Sequence, residues 1–197
     1  MNYDLFPYQK FLSDILTKKR FNHSLGVQDM SFTLAIRYGY PIEKAALAGL
    51  MHDCAKDISD DILLSECFKY HIAVTQVEMK KPDLLHAKLG AFYARHKYEI
   101  TDTEILSAIA YHTTGKPDMS LLEKIVFVAD YIEPNRSDKY IPDLNEIRSL
   151  AFMDLDKTVY RIAENIVNYL EESSQEMDKL TVATRNYYEN MIDKVNC

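Results

Sequence analysis

Strict alternation of apolar and polar residues, the mark of a strand, is nearly absent from this chain, while a helical period runs through most of it. Ala45, Leu47, Ala48 and Met51 follow the 3.6-residue period. So do Ile147, Leu150, Ala151, Leu155, Val159, Ile162, Ile166 and Leu170 over a longer stretch. With five glycines in 197 residues, glycine serves as punctuation. Gly39-Tyr40-Pro41 and Gly115-Lys116-Pro117 each read as a helix stop followed by a restart. The apolar run Ile125 to Ile132 is short enough for a strand, but Ala129 and its neighbours favour a buried helix. The fold class is therefore all-α. Helices are expected near Asp4 to Lys19, Ser24 to Tyr38, Ile42 to Cys54, Asp60 to Lys69, His86 to Lys97 and Thr103 to His112. Others are expected near Leu121 to Tyr131, Leu144 to Glu171 and Ala183 to Val195. Ser24, Thr103 and Ser120 stand where N-caps are wanted. The length and a 47% hydrophobic content suit a single domain over 1–197.

Several function classes are excluded at this level. No run of about 18 apolar residues is present, so no membrane helix is expected. The opening MNYDLFPYQKF lacks the basic-then-apolar layout of a signal peptide. Cys54, Cys67 and Cys197 are odd in number and form no CxxC, which reads as free thiols in a reducing cytoplasm, with Cys54 as a small core filler. The net charge is −7 and no Lys/Arg run appears, so a nucleic-acid partner is not expected. A small phosphate ligand needs only a few local cations and remains allowed. A helical surface rich in Tyr and Met allows a homodimer.

The chemistry concentrates in His23, His52, Asp53 and Asp130, which lie in the helix-like segments RFNHSLGV, AGLMHDCAKD and IVFVADYIEPNR. Imidazole and carboxylate suit a divalent first-row metal, and a metal is one of the few partners that offsets a buried charge. Taken alone, His52-Asp53 could equally be a hydrogen-bonded core pair; with His23 and Asp130 in similar settings, a metal ion is the better reading. Neighbours on a helix point about 100° apart, yet both can reach one ion if it lies off the helix end. His86 and His112 also sit beside apolar helix-forming sequence. His71 and His96 lie in polar surroundings and read as surface residues. Asp57 could orient a ligand histidine or cap a surface turn; Glu133 and Asn135 could shape the loop after Asp130. Tyr131 and Tyr140 could stack on a base.

The set H…HD…D, extended as His52-Asp53-Cys54-Ala55-Lys56-Asp57, resembles the HD-domain superfamily of metal-dependent phosphohydrolases. LLHAKLGA around His86 and AIAYHTTGKPDMSLLEKIVFVADYIEPNR, from Ala108 to Arg136, closely resemble the bacterial YqeK family within it. The resemblance implies an HD-domain helical bundle with a motif core at about 20–136 and C-terminal helices at about 144–197 completing the nucleotide site. It implies symmetrical hydrolysis of diadenosine tetraphosphate, and of related dinucleoside tetraphosphates, to two ADP. By the same resemblance His23, His52, Asp53 and Asp130 are the metal ligands, for iron first, with manganese, cobalt, nickel or zinc as alternatives. Lys56, His86 and His112 are catalytic and face the phosphates. Substrate contacts are implied at His23, Asp53, Lys56, His86, His112 and Asp130 and at Arg20, Thr113, Arg136, Thr181, Arg185 and Asn186. At Lys179 the chain departs from the proline that many members carry.

Such a site makes chemical sense. A metal lowers the pKa of bound water and so supplies a nucleophile near neutral pH. Lys56, His86 and His112 could stabilise charge on the phosphates, and either histidine could act as general acid. Two enzyme alternatives share the scaffold, a nucleotidase and a (p)ppGpp-type pyrophosphohydrolase, since fold does not fix substrate. A nucleotide-binding sensor without turnover is the alternative of another class.

Overall fold

Thr17 opens the helix that carries His23: its side chain accepts a hydrogen bond from Arg20 N at 3.3 Å, and the helix then runs unbroken through Ser24. The computed structural model describes residues 3–137, 141 and 143–195; Tyr140 and Cys197 lie outside them. In chain order the helices are α1 (Phe6–Ile15), α2 (Lys18–Tyr38), α3 (Ile42–Met51), α4 (Asp60–Lys69), α5 (Gln76–Lys80), α6 (His86–His96), α7 (Thr103–Tyr111), α8 (Leu121–Ile132), α9 (Leu144–Ala151), α10 (Leu155–Glu172) and α11 (Lys179–Val195). A 3-10 turn, Pro82–Leu85, leads into α6, and no strand occurs among the described residues.

The all-α expectation therefore holds, and most corrections concern boundaries. Ser24 is not a cap; it is buried inside α2, and the expected helix Asp4 to Lys19 is two helices meeting at Leu16-Thr17. Thr103 is the first residue of α7 rather than its cap, which is Asp102, whose side chain accepts from Glu104 N at 3.0 Å. Ser120 does cap α8, in a reciprocal box with Glu123. The long helix expected over Leu144 to Glu171 breaks because Asp154, in extended conformation, accepts from Lys157 N at 3.0 Å and starts α10 afresh. The α5 turn was absent from the expectation although Thr75 and Glu78 form a capping box. The α11 helix starts four residues earlier than Ala183, and α3 stops at Met51, before His52-Asp53-Cys54.

The core is built by α2, α3, α7 and α8, with α6 against α7, α10 against α8, and α11 against α10. Leu34, Leu47, Leu50, Met51, Ile109 and Leu122 are fully buried there. Cys54 is buried with Sγ 3.4 Å from Gly90 O, in keeping with its reading as filler, and burial pushes its thiol up to about 12. A smaller cluster of Leu63, Cys67, Leu85, Leu89 and Tyr93 ties α4 to α6.

A close approach of α3 to α2 at Gly49 sets the site. A Cβ on Gly49 would stand 2.8 Å from Val27 O and 2.5 Å from Ser31 Oγ, so only glycine lets α3 lie this close to α2. That contact brings His23, one turn before Val27, to His52, one turn after Gly49.

Candidate metal centre and nucleotide cleft

Each histidine of the centre is locked by its Nδ1. His52 Nδ1 donates to Gly49 O at 2.7 Å, His112 Nδ1 to Ile109 O at 2.7 Å, and His86 Nδ1 to Asp83 O. All three residues sit at a helix end, where the carbonyl three residues back is free of the helical ladder. A carbonyl can only accept, so the proton is on Nδ1 and Nε2 presents a lone pair. His23, inside α2, is held differently: its Nδ1 lies 3.1 Å from Glu133 Oε1. Glu133 is buried, and its other oxygen accepts from Asn135 N at 2.6 Å.

The four Nε2 atoms then face inward in two pairs. His23 and His52 stand 3.2 Å apart, and His86 and His112 stand 3.1 Å apart. Asp53 lies between the pairs. Its Oδ2 is 3.3 Å from His52 Nε2 and 3.7 Å from His23 Nε2, while its Oδ1 is 3.3 Å from His86 Nε2 and 3.5 Å from His112 Nε2. Asp130 Oδ1 completes the first pair, 3.0 Å from His23 Nε2 and 3.8 Å from His52 Nε2. The donor set fits a divalent cation: facing nitrogen lone pairs repel unless a cation stands between them, and two carboxylates supply the charge that draws one in. His23, His52 and Asp130 offer ligand atoms within 4.8 Å of one another, as do His52, Asp53 and His112. The first pair and its carboxylates are the four residues expected from the sequence.

Burial and the nearby charges pull against each other in the centre. Burial lowers the His23 pKa, but hydrogen bonds to Asp130 and Glu133 outweigh it and hold His23 at about 9. Burial raises the pKa of Asp53, yet His52, His112 and His86 keep it well below the carboxylate range. For Asp130 burial is likewise overcome, by His23, His52 and Arg136. His86 is driven down by burial, against the pull of Asp53.

Cations ring the centre. Arg20 NH1 meets Asp53 Oδ2 at 2.7 Å, and Arg136 NH2 meets Asp130 Oδ1 at 2.8 Å. Lys56 Nζ pairs with Asp83 Oδ2 at 2.6 Å and lies 3.4 Å from His86 Nδ1. The Thr113 hydroxyl is 3.1 Å from His112 Nε2 and 3.3 Å from His86 Nε2. A cleft of about 930 Å³ opens beside these groups, lined by Asp83, Thr113, Tyr131, Asn165, Tyr169 and Thr181 among others. Of the late substrate-contact residues, Thr181 reaches this cleft. Arg185 does not line it and lies 3.9 Å from Glu189, and Asn186 is exposed on α11.

Other residues singled out in the sequence lie away from the centre. Asp57 reaches no histidine: its Oδ2 accepts from Thr17 N at 2.6 Å and ties the turn after α3 to the start of α2. His71 and His96 are exposed, and His96 packs on Phe92. Three contributors were missed. Asp83 serves both Lys56 and His86. Gly26 leaves room for Glu133, whose Oε2 would stand 2.3 Å from a Cβ there. Arg148 donates to Ile132 O, Glu133 O and Arg136 O at 3.0, 2.9 and 3.2 Å, clamping the loop after Asp130. An arginine on the edge of the apolar stripe of α9 was the only signal for that clamp.

The HD domain family matches residues 20–135 of the chain. The chain is 38% identical to a symmetrical bis(5′-nucleosyl)-tetraphosphatase of Halalkalibacterium halodurans, over 87% of this chain and 89% of that protein. It is 36% identical to proteins of the same description from Bacillus subtilis, over 87% and 90%, and from Staphylococcus aureus, over 91% and 92%. A crystal structure described as a predicted HD superfamily hydrolase involved in NAD metabolism, from Clostridium acetobutylicum, superposes with a TM-score of 0.91. The two are 34% identical, and the match covers 97% of this chain and all of that one.

Proposed function

This chain belongs to the HD domain family and, within it, to the group of the symmetrical bis(5′-nucleosyl)-tetraphosphatases; from that premise we propose that it hydrolyses diadenosine tetraphosphate and related dinucleoside tetraphosphates at the central anhydride, giving two ADP. The observation that carries this reading is the inward convergence of His23, His52, Asp53 and Asp130, with Lys56 and Arg136 close by and Thr113 linking the centre to the cleft.

His23, His52, Asp53 and Asp130 would hold a divalent ion, which we take as iron, with manganese, cobalt, nickel or zinc acceptable to the same donors. When bound, such an ion supplies a site where water is acidic enough to attack near neutral pH and a positive charge for phosphate oxygens. The chain's own residues do the rest. Arg20 and Arg136, now paired with Asp53 and Asp130, are placed to exchange toward substrate oxygens, and Arg suits bidentate phosphate contacts. Lys56 sits over the edge of the cleft beside Asp83 and adds a point charge there. His86 and His112 present facing Nε2 atoms beside the Thr113 hydroxyl and Asp53 Oδ1, placed to meet the phosphate oxygens. A terminal phosphate oxygen titrates near pH ~6, so a departing ADP asks for charge neutralisation more than for a strong acid. Tyr131, on the cleft wall, is the base-stacking surface.

In this reading residues 20–136 form the motif core, and α9 to α11 complete one domain and close the cleft. Its ligands are dinucleoside polyphosphates or ADP-like nucleotides rather than nucleic acid, which the −7 charge disfavours. We place it in the cytoplasm and allow a homodimer through exposed apolar side chains such as Phe6, Ile36 and Phe68. No helix among the described residues is long and apolar enough to cross a membrane.

The test is product analysis. Purified protein is incubated with diadenosine tetraphosphate and ferrous or manganous ion, and the nucleotides are separated by anion exchange. ADP alone is expected. ATP with AMP would move the cut off the centre and overturn the reading, and binding without products would favour a sensor.

A further inference from the structure

A second cavity adjoins the first. It has a volume of about 490 Å³ and shares Leu84, Thr113, Thr114 and Asp178 with the larger cleft as lining residues. Its own walls include Val77, Ala87, Lys88, Ala110, Tyr111 and Lys179. Both volumes fall within the ~300–1,000 Å³ typical of small-molecule sites. Nothing in the roles assigned so far uses the second cavity.

Symmetrical cleavage makes a geometric demand. A substrate with a nucleoside at each end, cut in the middle, places the same length of phosphate chain on both sides of the reacting bond. The reaction centre must then have a nucleoside-sized hole on each side, reached from a common point. Thr113 is such a point, since its hydroxyl lies within 3.3 Å of His86 and His112 Nε2 and the residue lines both cavities. The second cavity has the right chemistry for a nucleoside with attached phosphate. Val77, Ala87 and Ala110 give it apolar lining, the Tyr111 ring offers a surface for a base, and Lys179 brings positive charge at its wall, while Lys88 is paired with Glu78 at 2.7 Å.

We propose that the cavity between α5, α6, α7 and the start of α11 is the seat of the second nucleoside, so that each ADP half of the substrate occupies its own cavity about Thr113. This rests on the symmetrical reaction proposed above. It also gives Lys179 a place, at the wall of the second seat.

The experiment is a binding count with the product, which the wild-type protein can give whatever becomes of any variant. Manganese-loaded protein titrated with ADP in a calorimeter is expected to bind two ADP per chain. Ala110→Phe on α7 and Val77→Trp on α5 fill the cavity from different elements. Each is expected to reduce the count to one and to raise KM for diadenosine tetraphosphate tenfold or more. A single ADP in the wild type, or two still bound in a folded variant, overturns the second seat while leaving the product test untouched. Failure of the product test, by contrast, removes both readings.

Discussion

Glu133 Oε1 lies 3.1 Å from His23 Nδ1, and across the same ring His23 Nε2 lies 3.0 Å from Asp130 Oδ1. A buried carboxylate thus fixes the ring from behind while its front faces the centre. Backing carboxylates of this kind orient a ligand and raise its basicity, and their loss typically costs about 10–100-fold in metal affinity. Glu133→Ala is therefore expected to weaken manganese binding by that order. Glu133→Gln keeps an acceptor for Nδ1 and should recover much of it. Competitive titration against a chelating dye measures both. Wild-type affinity in Glu133→Ala would sink the positioning role.

Gly26 gives the same relationship a test of opposite sign to helix propensity. It lies inside α2, where alanine should be better than glycine by about 1 kcal/mol. A Cβ there would meet Glu133 Oε2 at 2.3 Å, and that carboxylate cannot swing away because His23 and Asn135 N hold it. Gly26→Ala should therefore lower Tm and weaken metal binding, with a cost of about 1–3 kcal/mol for overpacking. A stabilised variant with unchanged metal affinity would show that the contact does not matter.

His52→Ala and Lys56→Ala separate the ion from the phosphates. His52 contributes an Nε2 to the first pair and is fully buried. Its loss should remove bound metal and nearly all turnover. Lys56 touches Asp83 and His86 but none of the four ligand residues. Lys56→Ala should keep metal stoichiometry and raise KM or lower kcat for diadenosine tetraphosphate by tenfold or more. Wild-type turnover in the first, or unchanged kinetics in the second, removes that residue from the site.

The candidate ligand set was legible because it depends on residue types that are expensive to bury. His23, His52, Asp53 and Asp130 stand out against apolar neighbours, and an H…HD…D order survives any error in helix boundaries. The helices were legible for a similar reason: the 3.6 period of α8 or α10 is long and redundant. Caps were less so, because Thr17 and Asp102 act through single backbone hydrogen bonds that neighbouring Ser24 and Thr103 could equally have made. The break at Asp154 hid inside an apolar period that continues across it. Support residues were the least visible. Gly26, Gly49, Asp83 and Arg148 matter through what they touch in another element of the fold, and local sequence carries no trace of such a contact. Glu133 could be picked out only as a neighbour of Asp130.

Glu123 offers a test of stability that leaves the centre alone. It is buried at the start of α8, accepts from Ser120 N at 2.7 Å in the capping box, and pairs with Lys116 at 2.9 Å. Burial raises its pKa, but Ser107, Lys116 and the Ser120 amide outweigh it, so the folded value lies below the ordinary one. A carboxyl depressed on folding contributes stability that is fully present above its unfolded pKa of about 4.3 and is lost as pH falls through the lower folded value. Glu123→Gln keeps an acceptor for the cap but not the charge. It should cost about 1–2 kcal/mol at pH 7, the range of a charge-assisted cap, and progressively less in acid, because the wild type loses the same charge there. Urea unfolding of both proteins at pH 7 and at successively lower pH reads the gap directly. A gap that stays constant into acid would show that the charge of Glu123 is not what holds this corner, and that its shape alone matters.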